Sequence, residues 1–357
     1  MHFVKKTDYD YDLRLLARRL NQFWYAVLAI VLLVLPLVAP PYFVSQATFV
    51  AIFCVAALGL ALLTGYTGQL SLGHAAFMAI GAYSEAVLQT AGVPFLLSLP
   101  AAALLAAAGG LVVGLPALRL AGMYLAIATL AFSFIVEELI SRWDSVTRGA
   151  SGMNVPRASV FGLAIDSGPR LYYVVVAVAV VAMILVLNLL RAPLGQAMRA
   201  VRESEIAAQS LGVHLARVKL VAFSLSAALT GLGGALYAHA IRFISPDQFG
   251  IALSIELLVV IFVGGIGTLH GVVFGAIFII VLPQLISLAK DVLPASIAGQ
   301  PGLQSAVYAL LLLAFILLEP QGLAGIWAKL KFYAGRFPWY RKGTLERVKS
   351  FARSETW

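Results

Sequence analysis

Apolar residues in this chain fall in long unbroken runs, separated by short polar or glycine-rich breaks. The runs are 23–39, 44–63, 75–91, 95–116, 122–140, 171–190, 219–241, 254–266, 271–288 and 303–318. A helix that crosses a bilayer needs about 20 predominantly apolar residues. Backbone groups in lipid are satisfied only inside helices or closed barrels, and the runs lack the ten-residue alternation of a barrel strand. The pattern predicts an all-α polytopic membrane protein with about ten transmembrane segments, within a range of eight to ten. The runs 254–266 and 271–288 are short and read as half-helices or a re-entrant pair.

Composition sharpens this picture. Hydrophobic residues make up 61% of the 357 and charged residues 11%, against roughly 45–50% and 25% in soluble domains. The mean hydropathy is +0.95. A water-soluble enzyme, a disordered chain and a disulfide-stapled domain are excluded. Cys54 is the one cysteine and sits inside an apolar run, so it reads as a small buried hydrophobe. The net charge is +9. In a chain this apolar, such a surplus points to lipid headgroups and topology, with no nucleic acid as partner.

Placing the N-terminus inside and alternating puts 19 of the 25 lysines and arginines on the cytoplasmic side. Both termini are then cytoplasmic by the positive-inside bias. Residues 1–22 form a cytoplasmic tail. Leu13, Leu16 and Leu20 share one helical face there, which leaves a surface-lying helix or a solvated tail as readings. Residues 23–320 form the membrane domain, with a turn-rich, irregular outside loop at 141–170 and a helical inside segment at 191–218. Residues 321–357 form a basic cytoplasmic tail.

Two breaks resemble each other. GYTGQLSLG at 65–73 follows one apolar run, and GGIGTLHG at 264–271 ends another. Both are glycine knots between apolar helices, and together they suggest two weakly similar halves. Broken helices persist at membrane depth only where protein or a water-filled cavity satisfies the freed backbone. Gly65, Gly68, Gln69, Ser71, Gly73 and His74, with Gly264, Gly265, Gly267 and Thr268, therefore either line or gate a translocation path or make tight connections. His74 is either a path residue or a hydrogen-bonded histidine at a helix start, and Ser71 is placed to cap the helix that begins near Ala75. No metal-ligand spacing joins His74 to His270. Of the acidic residues within runs, Glu85 alone lies deep, whereas Glu137, Glu138 and Glu256 lie near run ends. Intramembrane carboxylates are often functional, and their scarcity argues against ion coupling.

Residues 196–211 are good helix formers after Pro193 ends the preceding run. Ala207, Ala208 and Gly212 keep one surface thin. Such a helix either lies in a groove on another protein or is a solvated connection. No GxxxxGK[ST] phosphate loop, HExxH or GxSxG occurs, so nothing supports catalysis on this chain.

Four stretches carry a family resemblance: GYTGQLSLGHAAFMAIGAY (65–83), AGMYLAIATLAFSFI (121–135), RAVRESEIAAQSLGVHLARVKLVAFSLSAALTGLGGALYA (199–238) and VGGIGTLHGVVFGA (263–276). The chain resembles branched-chain amino acid ABC transporter permeases of the LivM type, sister to LivH. The resemblance implies an inner-membrane permease subunit of an importer for branched-chain or related amino acids. Urea, short amides or aromatic acids are alternative cargoes on the same machine. An ion-coupled secondary transporter is the alternative of another class. The implied partners are a second, LivH-like permease, two ATPase subunits, a periplasmic substrate-binding protein and the lipid bilayer. No cofactor is implied on this chain; ATP and Mg belong to the ATPase subunits. The implied location is the bacterial inner membrane. Glu205, Ala207, Ala208 and Gly212, with Glu203 beside them, are similar to the EAA-type coupling loop of importer permeases. Residues 147–152 are similar to a Thr-Gly-rich stretch of the family, with Arg148 in place of its usual glycine.

Overall fold

The computed structural model describes residues 19–160, 163–165, 168–290, 303–319 and 321–336. Every apolar run becomes a helix. These are α1 (Arg19–Val38), α2 (Pro41–Leu60), α3 (His74–Thr90), α4 (Phe95–Ala117), α5 (Met123–Arg142) and α6 (Pro169–Arg191). After two short helices, α7 (Pro193–Glu203) and α8 (Glu205–Ser210), come α9 (Leu215–Ile241), α10 (Ile251–Gly264), α11 (Leu269–Lys290), α12 (Leu303–Leu318) and α13 (Gly322–Arg336). Seven stretches among the described residues are long and apolar enough to cross a membrane. They are Pro41–Tyr66, Phe95–Ala117, Met123–Arg142, Pro169–Arg191, Leu215–Ile241, Pro246–Gly264 and Leu269–Ser287. Ala26–Val38 and Ser305–Phe315 are shorter apolar helices, and α3 has 17 residues.

The two runs read as short are longer in the fold. A 3-10 turn at Pro246–Phe249 leads into α10, and α11 extends over 22 residues. The 141–170 loop also carries more order than its turn-rich composition suggests. Met153–Asn154 pairs antiparallel with Phe243–Ile244 after α9, and Ala158–Val160 pairs with Leu163–Ile165. Thr147 anchors the loop by donating to the carbonyls of Ile140 (2.6 Å) and Trp143 (2.8 Å). Residues 322–336, read as part of a basic tail, form a helix. Leu13 and Leu16 of the N-terminal face lie outside the described residues.

Helix α9 is the hub, packing against α2, α3 and α4. Glycine permits the approach. A Cβ on Gly81 of α3 would sit 2.0 Å from the Gly231 carbonyl of α9, one on Gly233 of α9 would sit 2.8 Å from Ala56 Cβ of α2, and one on Gly110 of α4 would sit 2.5 Å from Ala227 Cβ. Small residues let helix backbones close on each other, the main source of helix association in lipid. Hydroxyls complete these seams, with Ser226 donating to Gly59 O (2.7 Å) and Thr230 to Ala56 O (3.1 Å).

Helix α1 is held by a different device. Pro36 lies inside it and has no N–H to offer the Leu32 carbonyl one turn back. Tyr172 of α6, fully buried, donates its hydroxyl to that carbonyl at 3.0 Å, and Tyr173 donates to Leu33 O at 2.8 Å.

Candidate translocation and coupling site

Helix α2 ends in a π-helical turn, Ala61–Tyr66. Its freed backbone is satisfied by the knot that follows. Thr64 donates to Gln69 O (3.1 Å) and Thr67 to Leu62 O (3.0 Å), while the N–H groups of Thr67 and Gln69 both reach Leu63 O. Gly68 has φ +74, a left-handed conformation costly for a residue with Cβ. Gln69 is buried, and neither its amide nitrogen nor its oxygen has a partner. Buried polar atoms are normally paired, so this amide is the open polar group of the knot.

His74 is a hydrogen-bonded histidine at the start of α3. It is fully buried between Ser71 Oγ (3.0 Å from Nδ1) and Ser226 Oγ of α9 (2.8 Å from Nε2). Ser71 does not cap α3 as its position suggested. Its hydroxyl is occupied by the His74 ring and by the Gly73 N–H (3.3 Å). A first-turn acceptor comes from another helix: Ser254 of α10 accepts from Ala75 N–H at 2.9 Å, while Thr129 of α5 accepts from Leu72 N–H, just before the helix, at 2.9 Å. Gly73 is required at this crossing, because a Cβ there would meet Thr129 O at 2.5 Å.

The second knot joins α10 to α11 as a tight hairpin. A Cβ on Gly264 would lie 2.0 Å from Gly271 O, and Thr268 donates to Gly265 O at 2.9 Å. Gly265 and Gly267 both have positive φ, +116 and +78. The two knots, nearly two hundred residues apart in sequence, touch: a Cβ on Gly65 would lie 3.0 Å from Gly267 N. Arg202 of α7 joins them. Its Nη1 donates to Gly65 O, and its stem packs beside Gly68, where a Cβ would be 3.1 Å from Arg202 Cγ. Arg199, one turn earlier, lies over the Tyr66 ring at 5.8 Å. The sequence reading missed Arg199, Arg202 and Tyr66. The available signal was two arginines three apart on one face of a short helix.

In the 191–218 segment, Ser204 caps α8 by accepting from Ala207 N–H at 3.2 Å. Glu205 reaches Lys219 of α9 at 2.7 Å, with the lysine side chain 5% exposed, so Glu205 serves the chain's own fold. Ala208 is buried, whereas Glu203 and Ala207 are exposed. Gly212 has φ +85 and closes α8 in a Schellman turn, with Val213 N–H on Ala208 O and Gly212 N–H on Gln209 O, both 3.0 Å. The outward face belongs instead to Ile206 and Leu211, each 82% exposed.

At the other end of α3 lies a buried polar cluster. Glu85 has no exposure, and its Oε1 lies 2.8 Å from Nε2 of buried His239. The same oxygen accepts from Ser98 (2.7 Å) and Gln89 (3.2 Å), while Oε2 has no partner. The cluster ties α3, α4 and α9. Sequence reading found Glu85 and missed His239.

Comparison with known proteins adds a family. The model described as branched-chain amino acid transport system / permease component matches residues 42–316. The chain is 38% identical over 288 residues to the high-affinity branched-chain amino acid transport system permease protein LivM of Escherichia coli, covering 72% of this chain and 68% of that protein. It is 37% identical over 278 residues to the protein of the same description from Salmonella typhimurium, covering 70% and 65%. The probable branched-chain amino acid transport permease protein LivH of Methanocaldococcus jannaschii is 26% identical over 295 residues, covering 77% and 89%. The chain thus spans about two thirds of the length of the LivM relatives. No solved structure matches.

Proposed function

This chain belongs to the branched-chain amino acid transport system permease family, and from that premise we propose that it forms half of an inner-membrane channel importing branched-chain amino acids with energy from separate ATPase subunits. It is a multi-pass helical membrane protein and a transport permease, not an enzyme. The partners proposed are a LivH-like second permease, two ATPase subunits that carry ATP and Mg, and a periplasmic substrate-binding protein. Both termini face the cytoplasm in this reading. The knots at 65–73 and 264–271, with α7 and α8, then lie at the cytoplasmic mouth, and Glu85 and His239 lie toward the periplasm.

One observation carries the coupling role. Helix α8 presents Ile206 and Leu211 outward at 82% exposure, on a turn fixed to its own chain by Ser204, the Glu205–Lys219 pair and the Gly212 cap. A rigid, apolar, outward helix face suits insertion into a groove on a partner, and the sequence has no nucleotide loop of its own. Glu203 and Ala207 lie beside this face, Ala208 is buried behind it, and Gly212 closes the turn at its end. The ion-coupled reading finds less support, because Glu85 is already engaged by His239, Ser98 and Gln89.

The test is Ile206→Asp and Leu211→Asp, each expressed with its partner genes. Expected is loss of ATPase subunits from the purified complex and loss of radiolabelled leucine uptake, with the permease still present in the membrane. Normal copurification and uptake in both variants would remove the coupling assignment. Uptake of urea or an amide, with none of leucine, would move the cargo assignment and leave the coupling role standing.

A further inference from the structure

We propose that Arg202 is a positioning residue that pins the two glycine knots to each other and to α7, so that movement of the coupling segment is delivered to the cytoplasmic end of the path. This rests on the permease reading above and adds a specific link to it. Three independent features meet at this side chain.

The first is an unclaimed acceptor. Gly65 lies in the π-helical turn that ends α2, where carbonyls have no further turn to bond. The Arg202 guanidinium supplies the donor to Gly65 O. A cation at a helix C-terminus is favoured by the helix dipole as well as by the hydrogen bond.

The second is fit against both knots. A Cβ on Gly267 would lie 2.6 Å from Arg202 Nη1 and 3.2 Å from Gly65 O. A Cβ on Gly68 would lie 3.3 Å from Arg202 Cα. The side chain therefore runs past Gly68 and ends between Gly65 and Gly267, in space that glycine alone leaves open. The contact with Gly68 is made by the Arg202 Cα and stem, and those with Gly65 and Gly267 by its guanidinium. Its planar fork is a rigid donor set that an ammonium does not reproduce.

The third is where α7 leads. Residue 203 ends α7 and Ser204 begins the cap of α8, so Arg202 lies two residues before the cap that holds the docking face. Arg199 lies over the Tyr66 ring from the preceding turn of α7. A displacement of α8 by a partner pulls on α7, and α7 holds both knots through Arg202.

The test uses the full-length chain assembled with its partner subunits and compares Arg202→Ala and Arg202→Lys with the unaltered protein. Amide hydrogen exchange is followed in segments 61–70, 262–270 and 226–238, none of which contains residue 202. In Arg202→Ala, exchange in both knot segments is expected to rise about tenfold or more, the scale of a lost charge-assisted hydrogen bond, with 226–238 in α9 unchanged. Uptake of radiolabelled leucine is expected to fall by about tenfold or more while ATP hydrolysis continues. Arg202→Lys, which keeps the charge and loses the fork, falls between. A residue that only stabilised its own helix would raise exchange in 193–203 and leave the knots as they were.

Unchanged exchange in both knots, in both variants, overturns the proposal, as does full leucine uptake with the knots loosened. Should Arg202→Ala also loosen 226–238, the lysine variant decides: loosened knots beside an intact α9 support the pin, and intact knots overturn it. An unaltered protein that takes up no leucine sinks the cargo assignment alone, because the exchange result still decides the pin.

Discussion

Glu85 and His239 stand 154 residues apart in sequence and 2.8 Å apart in the fold, both buried. Breaking a buried pair by deleting one partner leaves an uncompensated group, at a cost of about 3–5 kcal/mol. Glu85→Ala and His239→Ala should each lower the melting temperature of the purified protein sharply. The double variant should melt above at least one single variant, because replacing both partners removes the orphan. Ser98 then has Phe95 O to fall back on, at 3.2 Å. Equal, additive losses would show that the two side chains do not act as a pair. Glycine gives a second contrast at this scale. Gly81→Ala pushes a methyl into the Gly231 carbonyl, whereas Gly109→Ala meets only the Ile80 Cδ1 tip at 3.0 Å. The first should destabilise by about 1–3 kcal/mol or more, as overpacking does, and the second should be near neutral. Matching melting curves for the two variants would refute the backbone-contact account.

The helices α8 to α9 show what an element asks of its residues. Gly212 has open space around it, with no atom within 4 Å of where a methyl would project, but φ is +85. Its requirement is conformational. Gly212→Ala should cost about 1 kcal/mol and Gly212→Asn less, since asparagine tolerates the left-handed region; melting curves separate the two. Because a bulky residue at 212 is strained by its backbone conformation alone, the proposed docking face is better probed at Ile206 and Leu211. These features set the limits of what could be read from the chain. Apolar runs are a one-dimensional signal, so every helix that follows one was legible, as were the glycine breaks between them. Pairings were not. Nothing local marks Ser254 as the first-turn acceptor of α3, Thr129 as the acceptor for Leu72 just before it, or His239 as the partner of Glu85, because each depends on which helix α3 meets. Ala208 read as surface since a small residue fits either side of a helix. The roles of Ile206 and Leu211 were hidden because isolated apolar residues in a polar segment normally turn inward, and here the short α8 turns them out.

For the molecule as a whole, the basic residues cluster at the ends and in the 191–218 segment, which predicts both termini inside. A reporter active only outside the cytoplasm should stay silent when fused after Trp357 and become active when inserted between residues 156 and 157 of the 141–170 loop. The reverse result would invert the topology. The glycine seams carry a mechanical corollary. Where α9 meets α2, α3 and α4, carbonyls rest close against neighbouring glycines, and the side chains in the contact are short ones such as Ala56, Ala227, Ser226 and Thr230, with little length to give way. Sliding one such helix past another would need the seam to open along its whole length. These four helices are therefore expected to move as one block, and in the proposed permease any alternation between openings falls to elements that lack such seams with α9, the α10–α11 hairpin and α13 among them. The proposed transport cycle then resembles a leaf swinging against a fixed jamb, with glycines 265 and 267, both at positive φ, at the tip of that leaf.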